Sequence, residues 1–131
     1  MLRFMIVSIT FLLLFLPFLL GEEKVIIAVA SEGETMEADV SLLAARGPYF
    51  LIFDSEGELV EAVENPYKDN RGGAGVAAAN FLAGKNVTIV IAGNFGNKMI
   101  AALKAKEIDY FEFEGIVEDA IRKILKKTDR T

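Results

Sequence analysis

At 131 residues the chain has room for one ordinary domain, and at 53% hydrophobic and 25% charged it lies far from disordered chains, which bury too little apolar surface to offset their entropy. A formal net charge of -5, with lysines and arginines scattered until the last turn, offers no basic stripe to a phosphate backbone and excludes nucleic acid as the expected partner. Histidine and cysteine are absent, which removes disulfides, thiolate nucleophiles, imidazole bases and the usual zinc and iron-sulfur ligands.

From Phe4 to Leu20 the chain is uncharged and apolar; Arg3 precedes it and Glu22, Glu23 and Lys24 follow almost at once. That length is near the lower limit for crossing a bilayer and beyond a typical signal-peptide core, so residues 1–21 are expected to be a signal peptide or membrane anchor. Arg3 places the N-terminus in the cytoplasm by the positive-inside rule, and residues 22–131 outside it as one domain, membrane-anchored or secreted. Glutamine and tryptophan are absent while Glu and Lys are plentiful, a bias of thermophilic proteins.

Val25–Ala30 is a short, β-branched apolar run bounded by charge, the pattern of a fully buried central strand. Tyr49–Phe53, the turn residues Asp54, Ser55, Glu56 and Gly57, and the alternating run Glu58–Val63 predict a β-hairpin whose second strand has one wet face. Gly72, Gly73, Ala74 and Gly75 lead into a small-residue helix over Val76–Ala83, with Gly84 in the C′ position. Val87–Ala92 repeats the buried-strand pattern, and Gly93 to Asn97 form a loop with Asn97 as N-cap of a helix whose inner face carries Met99, Ile100 and Leu103. Ile108–Phe113 predicts a last strand. Ile116–Lys127 predicts an amphipathic helix with Glu118–Arg122 and Asp119–Lys123 pairs outside. The order β-β-β-α-β-α-β-α implies an α/β fold, with a five-stranded mixed sheet and helices on its faces.

Two glycine loops are the candidate ligand site. Gly72, Gly73, Ala74 and Gly75 open a helix, where backbone N–H groups and the helix dipole favour an anion; the same glycines also suit a tight loop and close packing. Gly93, Asn94 and Gly96 follow a predicted parallel strand, at the sheet end where open α/β sheets bind ligands, and turn chemistry alone would explain them equally. If the first strand neighbours this one, both loops face one crevice. Arg46, at the mouth of a strand, suits an anionic ligand or a surface salt bridge. Asp39, Asp54, Glu56, Glu61 and Glu64 show no spacing that groups them for metal or acid-base work, so no catalytic or metal residue is assigned. Met36 and Met99 are expected to fill loop or core, and Tyr110, Phe111 and Phe113 to pack the sheet edge. Asn86-Val87-Thr88 is a glycosylation sequon.

IIAVASEGETMEADVS at 26–41, GPYFLIFD at 47–54, AVENP at 62–66, and the GGAG helix start followed at fixed distance by the IAGNFG loop resemble the dinitrogenase iron-molybdenum cofactor biosynthesis domain, over Lys24 to Leu125. The resemblance implies a ribonuclease H-like fold without nuclease carboxylates, and a carrier of the iron-molybdenum cofactor or its iron-sulfur precursor rather than an enzyme. It implicates Gly72, Gly73, Ala74, Gly75, Gly93, Asn94 and Gly96 as ligand-facing, with Arg46 where the family has its arginine. Ser41 to Ala45 depart from the histidine and Phe-Gly that the family often carries there. With neither histidine nor cysteine, an iron-molybdenum or iron-sulfur cluster would be cargo held through its sulfides or organic acid. The expected function is thus a binding module for a small anionic or metal-cluster ligand, working beside a membrane reached through residues 4–20. The alternative is a membrane-tethered interaction domain with a vestigial crevice.

Overall fold

The computed structural model describes residues 24–129, so the expected leader, 1–21, lies outside the described residues. Among those described, no helix is long and apolar enough to cross a membrane. Five strands, β1 (Ile27–Ser31), β2 (Tyr49–Phe53), β3 (Leu59–Glu64), β4 (Ile89–Ala92) and β5 (Asp109–Glu112), form one sheet in the order β3-β2-β1-β4-β5. Three helices, α1 (Ala74–Gly84), α2 (Asn97–Ala105) and α3 (Val117–Thr128), cover it. β1 is antiparallel to β2 and parallel to β4, which is parallel to β5. This is the mixed, ribonuclease H-like sheet with the expected element order.

β1 is central because each of its residues is apolar or small enough to be buried on either face. Ala28 and Ala30 point to one side with Phe50, Ile52 and Val90, where Ala78, Ala79 and Leu82 of α1 and Met99 and Leu103 of α2 close the first core. Ile27 and Val29 point to the other with Leu51, Phe53 and Ile91, under Val117, Ala120, Ile121 and Ile124 of α3. Fully burying a side chain such as Phe50 or Leu82 contributes about 1.5–3 kcal/mol. Alanines on both β1 and α1 let that helix lie close to the sheet. The described members of both cores lie between Val25 and Leu125.

Four local expectations are corrected. β3 is exposed along most of both faces rather than one, because it is an edge strand on which only Val63, half-buried, packs against the first core; Leu59 is 38% and Val60 66% exposed. Gly84 remains helical, and the left-handed residue that ends the turn is Asn86, at φ 62°, whose short polar side chain tolerates it. Asn97 is not an N-cap but the first helical residue; Gly96 precedes it in extended conformation, and no side chain caps α2. Asp119 pairs with Arg122 at 3.3 Å, as does Glu118, while Lys123 lies over the Phe113 ring at 5.7 Å, a contact that also shields the ring.

Candidate functional site

The parallel pairing of β1 with β4 brings their C-terminal ends together, and the chain leaves both ends in loops. Segment 41–47 after β1 docks on the β4 loop: the Ala44 amide donates to the Asn94 carbonyl at 3.0 Å, and the Gly93 amide to the Ser41 carbonyl at 2.9 Å. The first turns of α1 and α2 close the other side. Between them lies a cleft of about 340 Å³, walled by Leu43, Ala44 and Ala45, by Gly73 to Val76, and by Asn94, Gly96 and Asn97, with Arg46 and Lys98 at its edge and Met99 beneath. Both glycine loops therefore face one crevice, as the strand order requires.

The glycines differ in what they do. Gly73 and Gly96 face open space, with nothing within 4 Å of where a Cβ would stand, so their missing side chains leave the helix starts bare to the cleft. Gly73 also has φ 71°, where L side chains are strained. Gly75 permits close packing: a Cβ there would sit 2.8 Å from the Met99 Cβ, so α1 and α2 touch at this point. Gly93 lines no part of the cleft; a Cβ would stand 2.9 Å from the Leu42 Cα and carbonyl oxygen, and its role is to let segment 41–47 dock. Gly72 is exposed beside the cleft rather than in its wall.

Neither α1 nor α2 has a side-chain N-cap. The first amides of an uncapped helix have no carbonyl partner within it, and the aligned peptide dipoles add about half a positive charge. Two such ends converge here, joined by the cations of Arg46 and Lys98, and no carboxylate lines the cleft. Among the described residues Arg46 makes no ion pair; its Nη1 donates to the backbone carbonyls of Lys68, at 2.9 Å, and Asn70. The walls themselves are mostly apolar. The cleft can thus accept an anion by amide N–H groups and positive charge, in apolar surroundings that strengthen both.

Among the described residues no group of His, Cys, Asp and Glu could hold a metal ion. Met99, the one soft donor beneath the cleft, is 1% exposed and packed in the first core. Direct ligation of iron or molybdenum by these side chains does not fit. The donors that remain at the cleft are backbone amides and the cations of Arg46 and Lys98, which suit anionic atoms. Asp54 accepts from the amides of Glu56 and Glu58 at 2.9 Å, and Glu61 pairs with Lys85 at 3.1 Å, which explains both carboxylates without catalysis. Met36 packs under α3 as expected.

The sequence pattern singled out six residues that line the cleft, Arg46, Gly73, Ala74, Gly75, Asn94 and Gly96, and missed Leu43 to Ala45 and Lys98. The signal for the former was an apolar pair in a loop: Leu42 is 64% and Leu43 51% exposed.

Comparison with known proteins matches the family model described as dinitrogenase iron-molybdenum cofactor over residues 23–127. Curated protein sequences give no significant match. Among solved structures, the apo orange protein from Desulfovibrio gigas is similar at a TM-score of 0.73 and 28% identity, covering 82% of this chain and 90% of its own. A NifB-like protein from Thermotoga gives a TM-score of 0.66 and 32% identity, with 79% and 88% covered. A dinitrogenase-like protein from Methanocaldococcus jannaschii, at 17% identity, TM-score 0.58 and 79% and 90% coverage, shares the fold. The family match spans the sheet, its helices and both glycine loops, and the chain therefore belongs to the dinitrogenase iron-molybdenum cofactor family.

Proposed function

We propose that this protein is a non-enzymatic binding module that carries a small anionic ligand, of the class of iron-molybdenum or iron-sulfur clusters, in the cleft between the starts of α1 and α2. One observation carries it: two uncapped helix N-termini, left bare by Gly73 and Gly96, converge on a cleft that Arg46 and Lys98 flank and no carboxylate enters. Such a site gives an anion hydrogen-bond donors and positive charge, and its lining holds no carboxylate, imidazole or thiol. Cargo would be held by its outer sulfides or carboxylates, without a protein-metal bond, and could be passed on intact. The expected leader would keep this carrier at a membrane.

The test is anaerobic titration of residues 22–131 with isolated iron-molybdenum cofactor, and separately with an iron-sulfur cluster source, following absorbance and iron retained through gel filtration. Stoichiometric retention that is lost in Gly96→Glu supports the carrier. Gly96 has φ -71° and ψ 152°, which any residue adopts, so this variant folds and places a carboxylate in the cleft. Absence of retention by the native sequence overturns the reading.

A further inference from the structure

Asn65, in the AVENP run just after β3, is 3% exposed, which for a primary amide requires that its polar atoms be met. Its Nδ2 donates to the Ala45 carbonyl at 2.9 Å and the Gly47 carbonyl at 3.0 Å, and its Oδ1 accepts from the Tyr67 amide at 3.0 Å. Two carbonyls facing one end of the side chain fix which end carries the nitrogen, since the reverse orientation would set oxygen against oxygen. Those carbonyls belong to the residues on either side of Arg46. The arginine answers in the opposite direction, its Nη1 donating to the carbonyls of Lys68 and Asn70, in the loop that Asn65 begins and that runs into Gly72 and Gly73.

We infer that Asn65 and Arg46 form a reciprocal clasp that holds segment 41–47 against segment 65–73, and that Asn65 is a positioning residue acting on the cleft through Arg46. Each segment supplies a wall of the cleft: Leu43 to Arg46 on one side, Gly73 and the start of α1 on the other. Both segments leave the end of the β2-β3 ladder, where the Asn65 amide donates to the Pro48 carbonyl at 2.9 Å; beyond that point side chain to carbonyl bonds do the joining. Backbone carbonyls, not carboxylates, hold the guanidinium, which restricts its motion at the cleft edge without an ion pair among the described residues; Glu32 and Asp39 line the neighbouring pocket on its other side. A cation fixed in advance loses less entropy when an anion arrives than one on a free four-atom stem. The clasp rests on the anion-binding reading for its purpose, and on geometry alone for its existence.

The experiment is a double-mutant cycle in residues 22–131 with Asn65→Ala, Arg46→Ala and the pair, titrated with isolated iron-molybdenum cofactor. Asn65→Ala is expected to weaken retention by about tenfold, the scale of one charged hydrogen bond, and to cost nothing further once Arg46 is alanine. Its loss of thermal stability should persist in both backgrounds, which separates positioning from mere support. Asn65→Leu keeps about the same volume without donors and without added charge, and carries the same expectation should Asn65→Ala not fold. An equal loss of affinity with and without Arg46, or none at all, overturns the clasp. If the native protein binds no cofactor, the proposed function falls, and the clasp is read without ligand from ¹⁵N relaxation at the Arg46 Nε. Increased mobility in Asn65→Ala sustains it, and unchanged order refutes it.

Discussion

Three cleft glycines that look alike in sequence should respond differently to one added methyl group, and the difference can be worked from the backbone. In Gly75→Ala the Cβ would meet the Met99 Cβ at 2.8 Å and its Cα and N at 3.4 Å, about 1 Å inside normal carbon contact, with backbone rather than a flexible chain end in the way. Helix propensity favours alanine by up to about 1 kcal/mol, and overpacking this close against rigid atoms costs toward the upper end of its range, about 2–3 kcal/mol, so α1 and α2 must part and the net loss is about 1–2 kcal/mol. In Gly96→Ala nothing lies within 4 Å and φ is -71°, so stability should be unchanged or gain about 0.4–1 kcal/mol through the unfolded chain. Gly73→Ala meets no atom but keeps φ 71°, which costs about 1–2 kcal/mol. Thermal unfolding followed by circular dichroism would separate them, since 1 kcal/mol moves Tm by about 4–8 °C in a domain near this size. The expected order of stability is Gly96→Ala above both Gly73→Ala and Gly75→Ala. A Gly75→Ala protein as stable as the native one would refute the close helix contact, and a large loss in Gly96→Ala would refute the open cleft wall.

Leu82→Ala should cost about 2–5 kcal/mol in chemical denaturation, because Leu82 is fully buried beneath α1 and the alanines around it cannot collapse into the space. Val60→Thr, on the exposed edge strand at 66% exposure, should change stability by less than about 0.5 kcal/mol by the same assay. Lys85→Ala removes a half-exposed pair with Glu61 and a contact over the Phe81 ring at 5.5 Å, and should lose no more than about 1 kcal/mol, part of it recovered by the native protein's own weakening at high salt. Lys98→Glu should leave the melting temperature nearly unchanged and weaken cofactor retention, since Lys98 is exposed at the cleft and makes no ion pair among the described residues.

Much of the candidate site was legible because glycine reports on the backbone directly. The GGAG helix start and the loop after Val87–Ala92 mark two places where the chain must turn or be approached, and strand order joins them. What glycine does not report is the reason. Gly93 and Gly75 are small because Leu42 and Met99 press on them, whereas Gly73 and Gly96 are small and face open space. Both kinds read identically in sequence. Leu43 to Ala45 were passed over because a Leu-Leu-Ala-Ala run carries no polar chemistry, and only the bridge from Leu43 to Asn94 sets it in the cleft wall. Asn65 stood in the AVENP run with no role of its own; its two carbonyl partners are 18 and 20 residues away along the chain.

Local rules determined the element order and type, because burial on both faces demands continuous apolar runs such as Val25–Ala30 and Val87–Ala92, and a one-sided helix demands the spacing seen in Val117, Ala120, Ile121 and Ile124. The absence of histidine and cysteine likewise settled, without any structure, that no cluster is held here by imidazole or thiolate. Tertiary structure alone decided which ends met. The exposure of β3, the seat of Lys123 over the Phe113 ring, and the clasp around Arg46 each depend on what lies across a gap from another element of the chain. Sequence spacing constrains neighbours within a turn or a strand, and it carries no measure of that distance.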